Sequence, residues 1–149
     1  MARETKLRLI RHVAFLESEL QDFASFRSLL WEKYSKERST RRDVERWVEN
    51  IINSSIDISK IILLAENIPL PDTYKELVAA VSLVPGFDKE RMKSISEWVR
   101  FRNIIAHEYL DIRWASIRKF IQESEPLYRT FLKDAKDYLE KQLQTETET

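Results

Sequence analysis

The sequence predicts an all-α fold, and three observations point there. One glycine and four prolines in 149 residues leave few of the positive-φ turn residues that tight β-hairpins favour. Hydrophobic residues make up 43% and charged residues 34%, the mix expected of amphipathic helices in water. Apolar positions recur at steps of three and four along most of the chain. The length suits one domain with a sizeable core, expected over residues 1–143 as a single up-and-down bundle of four to five helices. The polar end "QTETET", residues 144–149, reads as a disordered tail.

The first helix is predicted from about Thr5 to Ser35 on the stripe Leu9, Val13, Leu16, Leu20, Phe23, Leu30 and Tyr34. Arg27 fills the one missing position, its stem either laid over apolar surface or crossing an interface. "ERST" at 37–40 breaks the pattern, and Ser39 or Thr40 can cap a second helix reaching about Asn67. Val44, Trp47, Val48, Ile51, Ile58, Ile61, Ile62 and Ala65 form its apolar face, and Ser54 and Ser55 let another helix come close. These two long N-terminal helices make an antiparallel pair about 40 Å long.

Pro69 and Pro71 end the second helix. Asp72 can cap a short helix through Tyr74, Leu77, Val78 and Val81, which "VPGFD" at 84–88 stops. A further helix begins near Lys89 and carries Ile95, Trp98, Phe101, Ile105 and Ile112 on one side. The last starts at about Trp114, with Pro126 kinking or restarting it.

Several chemistries are excluded. With no cysteine there is neither disulfide nor thiolate, and any zinc site is weakened. His12 and His107 lie on different helices without metal-ligand spacing. Glu97, Glu108 and Asp111 read as partners of neighbouring arginines rather than as a magnesium site. One glycine cannot build a phosphate loop or a dinucleotide fingerprint, so no metal and no cofactor is expected. The charged N-terminus lacks a signal-peptide core and no apolar run approaches a membrane span, so a cytoplasmic protein without membrane contact is expected. Twenty-five basic and 25 acidic residues cancel, so any RNA contact needs a local patch; "KERSTRR" at 36–42 reads as a solvated helix end.

The stretch "FRNIIAHEYL", residues 101–110, carries the chemistry. On one continuous helix Arg102 and His107, five positions apart, lie about 140° around the axis from each other. Arg102 and Tyr109 share one stripe, and Asn103 and His107 share another. An arginine–histidine site then needs a local distortion, a long arginine reach, or a second protomer closing over the helix. Such a pair suffices to cleave RNA, because the substrate brings its own nucleophile, the 2′-hydroxyl. Histidine moves the proton and arginine stabilises the phosphorane charge, without metal. The spacing equally accommodates an arginine paired with an acid, a solvated histidine, and a Tyr109 that merely edges the core.

"RNIIAHEY" resembles the R-x4-H-x-Y signature of the HepT-type toxins of the HEPN superfamily. Phe101 and the polar Asn103 fit that pattern, and "RRDVERWVENIINSSIDISKIILLAENIPLPDTYKEL" resembles the family's second helix and proline-bearing turn. The resemblance implies a HEPN-like helical domain acting as a metal-independent endoribonuclease, the toxin of a type VII-like toxin–antitoxin pair. It implies Arg102 and His107 as catalytic residues and Asn103 in support, in a cleft between the protomers of a homodimer. It further implies a minimal nucleotidyltransferase antitoxin as partner, which silences the toxin by attaching AMP to Tyr109. The alternative is a non-catalytic helical adaptor or substrate-binding subunit of a nucleotidyltransferase.

Overall fold

The computed structural model describes residues 1–148, with side chains described through Thr145. Every regular element among them is helical: α1 (Arg3–Leu20), α2 (Phe23–Phe26), α3 (Trp31–Lys36), α4 (Arg38–Ala65), α5 (Tyr74–Ala80), α6 (Lys89–Glu97), α7 (Phe101–His107), α8 (Leu110–Glu123) and α9 (Glu125–Glu148). Two 3₁₀ turns, Val81–Leu83 and Trp98–Arg100, extend α5 and join α6 to α7. The all-α class is as predicted. Helix α9 continues through 144–148, where a polar tail was expected, and Thr149 lies outside the described residues.

The predicted first helix is broken into α1, α2 and α3, and the break has a physical cause. The Trp47 indole N–H donates to the Glu19 carbonyl at 2.8 Å, and the Arg129 guanidinium donates to the Leu20 carbonyl at 3.2 Å. These carbonyls need partners where a helix ends, and side chains from α4 and α9 supply them. The chain then turns at Gln21–Asp22 and drives Phe23 fully into the core. Leu30, expected on the apolar stripe, is instead 71% exposed at the extended N-cap of α3. Arg27 is more than half exposed and pairs with Glu125.

The caps also differ from expectation. Glu37, not Ser39 or Thr40, occupies the N-cap of α4. Thr73, not Asp72, caps α5, its Oγ1 accepting the Glu76 N–H at 3.1 Å. Helix α4 ends before the prolines in a Schellman motif. Asn67 adopts φ +58°, the Ile68 N–H reaches the Leu63 carbonyl at 2.9 Å, and the Asn67 N–H reaches Leu64 at 3.2 Å.

Helix α4 is the axle. It runs antiparallel to α1, since Trp47 meets Glu19 while Asp57 lies 3.9 Å from His12. Helix α9 returns alongside α1, where Lys136 pairs with Glu17, and its Tyr138 hydroxyl donates to Glu66 beyond the end of α4, at 2.8 Å. It starts afresh after Ser124 with Pro126 in its first turn, where the missing N–H costs nothing. At the centre, Phe120 of α8 is fully buried. Phe23 stacks on it, while Trp47 and Trp98 meet it edge-on at 5.7 and 5.5 Å.

Because that ring meets α2, α4, the Trp98–Arg100 turn and, through Tyr128, α9, Phe120→Ala should destabilise the fold by about 3–5 kcal/mol in denaturant titration. Leu83→Ala, at a side chain 69% exposed, should stay within about 0.5 kcal/mol of the parent.

Candidate active site

The motif does not lie on one helix. Helix α7 ends at His107, and Glu108 and Tyr109 take extended dihedrals, with ψ of 163° and 160°, before α8 begins at Leu110. Arg102, Asn103 and His107 therefore share α7, while Tyr109 is the N-cap of the next helix. The predicted common stripe of Arg102 and Tyr109 is broken. Ile112, expected beside Ile105, belongs to α8 and is 44% exposed.

A polar cluster fixes that redirection. Arg113, in the first turn of α8, donates through Nε to Glu45 Oε2 at 3.0 Å and also through Nη2. The buried Tyr34 hydroxyl donates to the same oxygen at 2.5 Å. One carboxylate on α4 thus gathers α3 and α8, and the Arg113 N–H closes the new helix on the Tyr109 carbonyl at 2.9 Å. Burial lifts the Tyr34 phenol well above its ordinary value of 10.0, and the hydrogen bond to Glu45 and that group's charge push the same way. Burial opposes the Arg113 charge, but Glu45 outweighs it and holds the guanidinium above its usual range. Arg41 adds hydrogen bonds to the Tyr34 and Ser35 carbonyls at 3.1 and 3.0 Å.

Within α7, Phe101 and Ile105 are buried and anchor the helix, with Phe101 packed on Trp98 at 4.6 Å. Arg102 is half-buried, whereas Asn103 and His107 are exposed. No hydrogen bond joins Arg102 to His107, and Arg102 has no carboxylate partner among the described residues. Its guanidinium instead lies 5.1 Å from the ring centroid of Tyr74, at the start of α5. Tyr74, expected on the buried face of α5, is 53% exposed. Tyr109 stands out in solvent, with 81% of its surface open. An open groove of about 440 Å³ lies between α7 and α8, lined by the apolar Phe101, Ile104, Ile112 and Ala115 and by the polar Arg100, Asp111, Ser116 and Lys119. No group of acidic and histidine side chains among the described residues could hold a metal ion. No described helix is long and apolar enough to cross a membrane.

The family model described as "Ribonuclease HepT-like" matches residues 16–135. The chain belongs to the HepT-like family. Members of this family are ribonuclease toxins. Three solved structures share its fold. One, described as a toxin–antitoxin with AMP-PNP, is 12% identical with a TM-score of 0.74 over 87% of this chain and 97% of that one. The tri-AMPylated Shewanella oneidensis HEPN toxin in complex with an MNT antitoxin is 13% identical, with a TM-score of 0.75 over 92% and 99%. A mutant of the MntA–HpeT toxin–antitoxin is 13% identical, with a TM-score of 0.75 over 87% and 97%. No curated protein matches the sequence significantly.

The Tyr34–Glu45–Arg113 cluster escaped sequence reasoning, since Glu45 and Arg113 are 68 positions apart and on different helices. The raised Tyr34 phenol gives it a pH signature. The folded state holds that proton more tightly than the unfolded chain does, so its contribution to stability is complete below pH ~10 and is lost as pH rises further. Tyr34→Phe should therefore show a shallower loss of stability than the parent in melts taken across the range above pH ~10.

Proposed function

We propose that this chain is a metal-independent endoribonuclease toxin in which Arg102 and His107 carry the chemistry. The supporting observation is an arginine that sits five residues before a solvent-facing histidine and whose guanidinium no carboxylate neutralises. In the reaction the 2′-oxygen of the RNA forms a bond to phosphorus while the bond to the 5′-oxygen breaks. Histidine accepts the 2′-hydroxyl proton or protonates the departing 5′-oxygen. Arginine binds the equatorial oxygens, where charge accumulates. The products are a 2′,3′-cyclic phosphate and a 5′-hydroxyl. Asn103, one residue beyond the arginine and exposed, supports the same surface.

Two arms on nearly opposite sides of α7 call for a second protomer. In this reading a homodimer packs through the α7–α8 corner, and its two motifs form one composite site. The apolar lining of the groove and exposed Ile112 suit such burial. The partner that silences the toxin is a minimal nucleotidyltransferase, and its target is Tyr109, whose exposure and extended backbone suit entry into an enzyme's site. The AMPylated state of the Shewanella oneidensis toxin supports the same reading.

Purified protein incubated with total RNA in EDTA should cleave it. Arg102→Ala and His107→Ala should each lower the rate about 100-fold or more while leaving the melting temperature unchanged. Equal cleavage by all three would refute the assignment. No cleavage by the parent, with a stable nucleotidyltransferase complex that survives His107→Ala, would favour the adaptor reading.

Incubation with the nucleotidyltransferase and ATP should add mass in whole AMP units that map to Tyr109, and Tyr109→Phe should abolish the gain. Mass mapping elsewhere would remove Tyr109 from the scheme.

A further inference from the structure

We propose that Tyr74 is the positioning residue of Arg102, holding its guanidinium against an aromatic ring so that its N–H donors stay free for an RNA phosphate. This rests on the ribonuclease reading and adds a residue outside the α7 motif to it.

Four other guanidiniums of the bundle are held by carboxylates. Arg27, Arg91, Arg113 and Arg129 are each tied to a carboxylate, respectively Glu125, Asp134, Glu45 and Glu125. A carboxylate takes up the in-plane N–H donors that a phosphate would need, and its negative charge repels the substrate. Arg102 is held differently: like Arg100, which lies 5.7 Å from the ring of the adjacent Phe101, it meets an aromatic ring, but one brought from another helix, Tyr74 of α5, 5.1 Å away. A ring attracts the cation through its quadrupole and carries no negative charge to neutralise it, so the guanidinium N–H donors are not spent on a carboxylate. The contact therefore restrains the side chain without competing for its ligand.

The placement of Tyr74 fits this task better than it fits packing. The residue opens α5, and the helix start is fixed by the Thr73 cap. On the same short helix Leu77 and Val78 are buried at 4% and 0% exposure and lock it to the core. Tyr74 leaves more than half its surface in solvent, so its ring stands on a rigid base but contributes little to the interior. An arginine free to sample its rotamers would have to lose that freedom on binding; one already laid against a fixed ring has lost part of it.

The test uses Tyr74→Leu, which removes the ring, and Tyr74→Phe, which keeps it. In ¹⁵N-labelled protein the Arg102 Hε resonance should carry an upfield ring-current shift that persists in Tyr74→Phe and disappears in Tyr74→Leu. Against an RNA oligonucleotide, Tyr74→Leu should lower kcat about two- to fivefold with KM little changed, and Tyr74→Phe should restore it. In an Arg102→Ala background Tyr74→Leu should cost nothing further. An Arg102 Hε signal indifferent to Tyr74→Leu, or a kcat loss of equal size with and without Arg102, overturns the proposal. If the parent cleaves no RNA the ribonuclease reading falls, and the resonance shift still decides whether Tyr74 holds Arg102.

Discussion

The Glu45 carboxylate sets the geometry on which the candidate site depends. Its hold on Arg113 fixes the first turn of α8, while Trp114 against Tyr34 and the buried Phe120 seat the rest of that helix. Shared with Tyr34, the anchor helps turn a run that reads as one helix into two helices with an extended joint. The joint puts His107 at a helix end and Tyr109 out in solvent. The ion pair is largely shielded from water, so its worth lies in specifying direction more than in raw stability.

What was legible in the sequence follows from how local the cause is. The buried face of α4 was readable from Val44 to Ile62, because periodicity on a long helix is a local signal read many times over. The restart at Pro126 was readable for the same reason, since proline acts on its own backbone. The end of α1 was not, because Trp47 and Arg129 cap it from 28 and 109 positions away. Nor was the break after His107, where no glycine or proline marks the joint and the contacts that seat α8, Glu45 among them, come from distant positions. Arg102, Asn103, His107 and Tyr109 could be picked out by residue type and spacing. The orientation of Arg102 toward Tyr74 could not, because it depends on where α5 docks.

The chain belongs to the HepT-like family, and its α7–α8 corner differs from an idealised helix in a way that suits the proposed chemistry. Arginine and histidine stay on the same short helix, but tyrosine is moved off it onto a two-residue extended connection that is pinned on its C-terminal side. The residue proposed to be modified is thus separated from the residues proposed to react. An enzyme can reach the phenol without unwinding α7.

Helix α9 has a further consequence. It closes the bundle by bringing Tyr128, Phe131, Leu132, Ala135 and Tyr138 into a core begun by α1, with Arg129 completing a cap more than a hundred residues upstream. During synthesis the ribosome releases α1 and α4 long before these partners exist, so the early helices wait with an open apolar seam. Such contacts between distant segments slow folding. The bundle therefore closes, and the α7–α8 corner gains its full support, only after α9 has emerged from the ribosome.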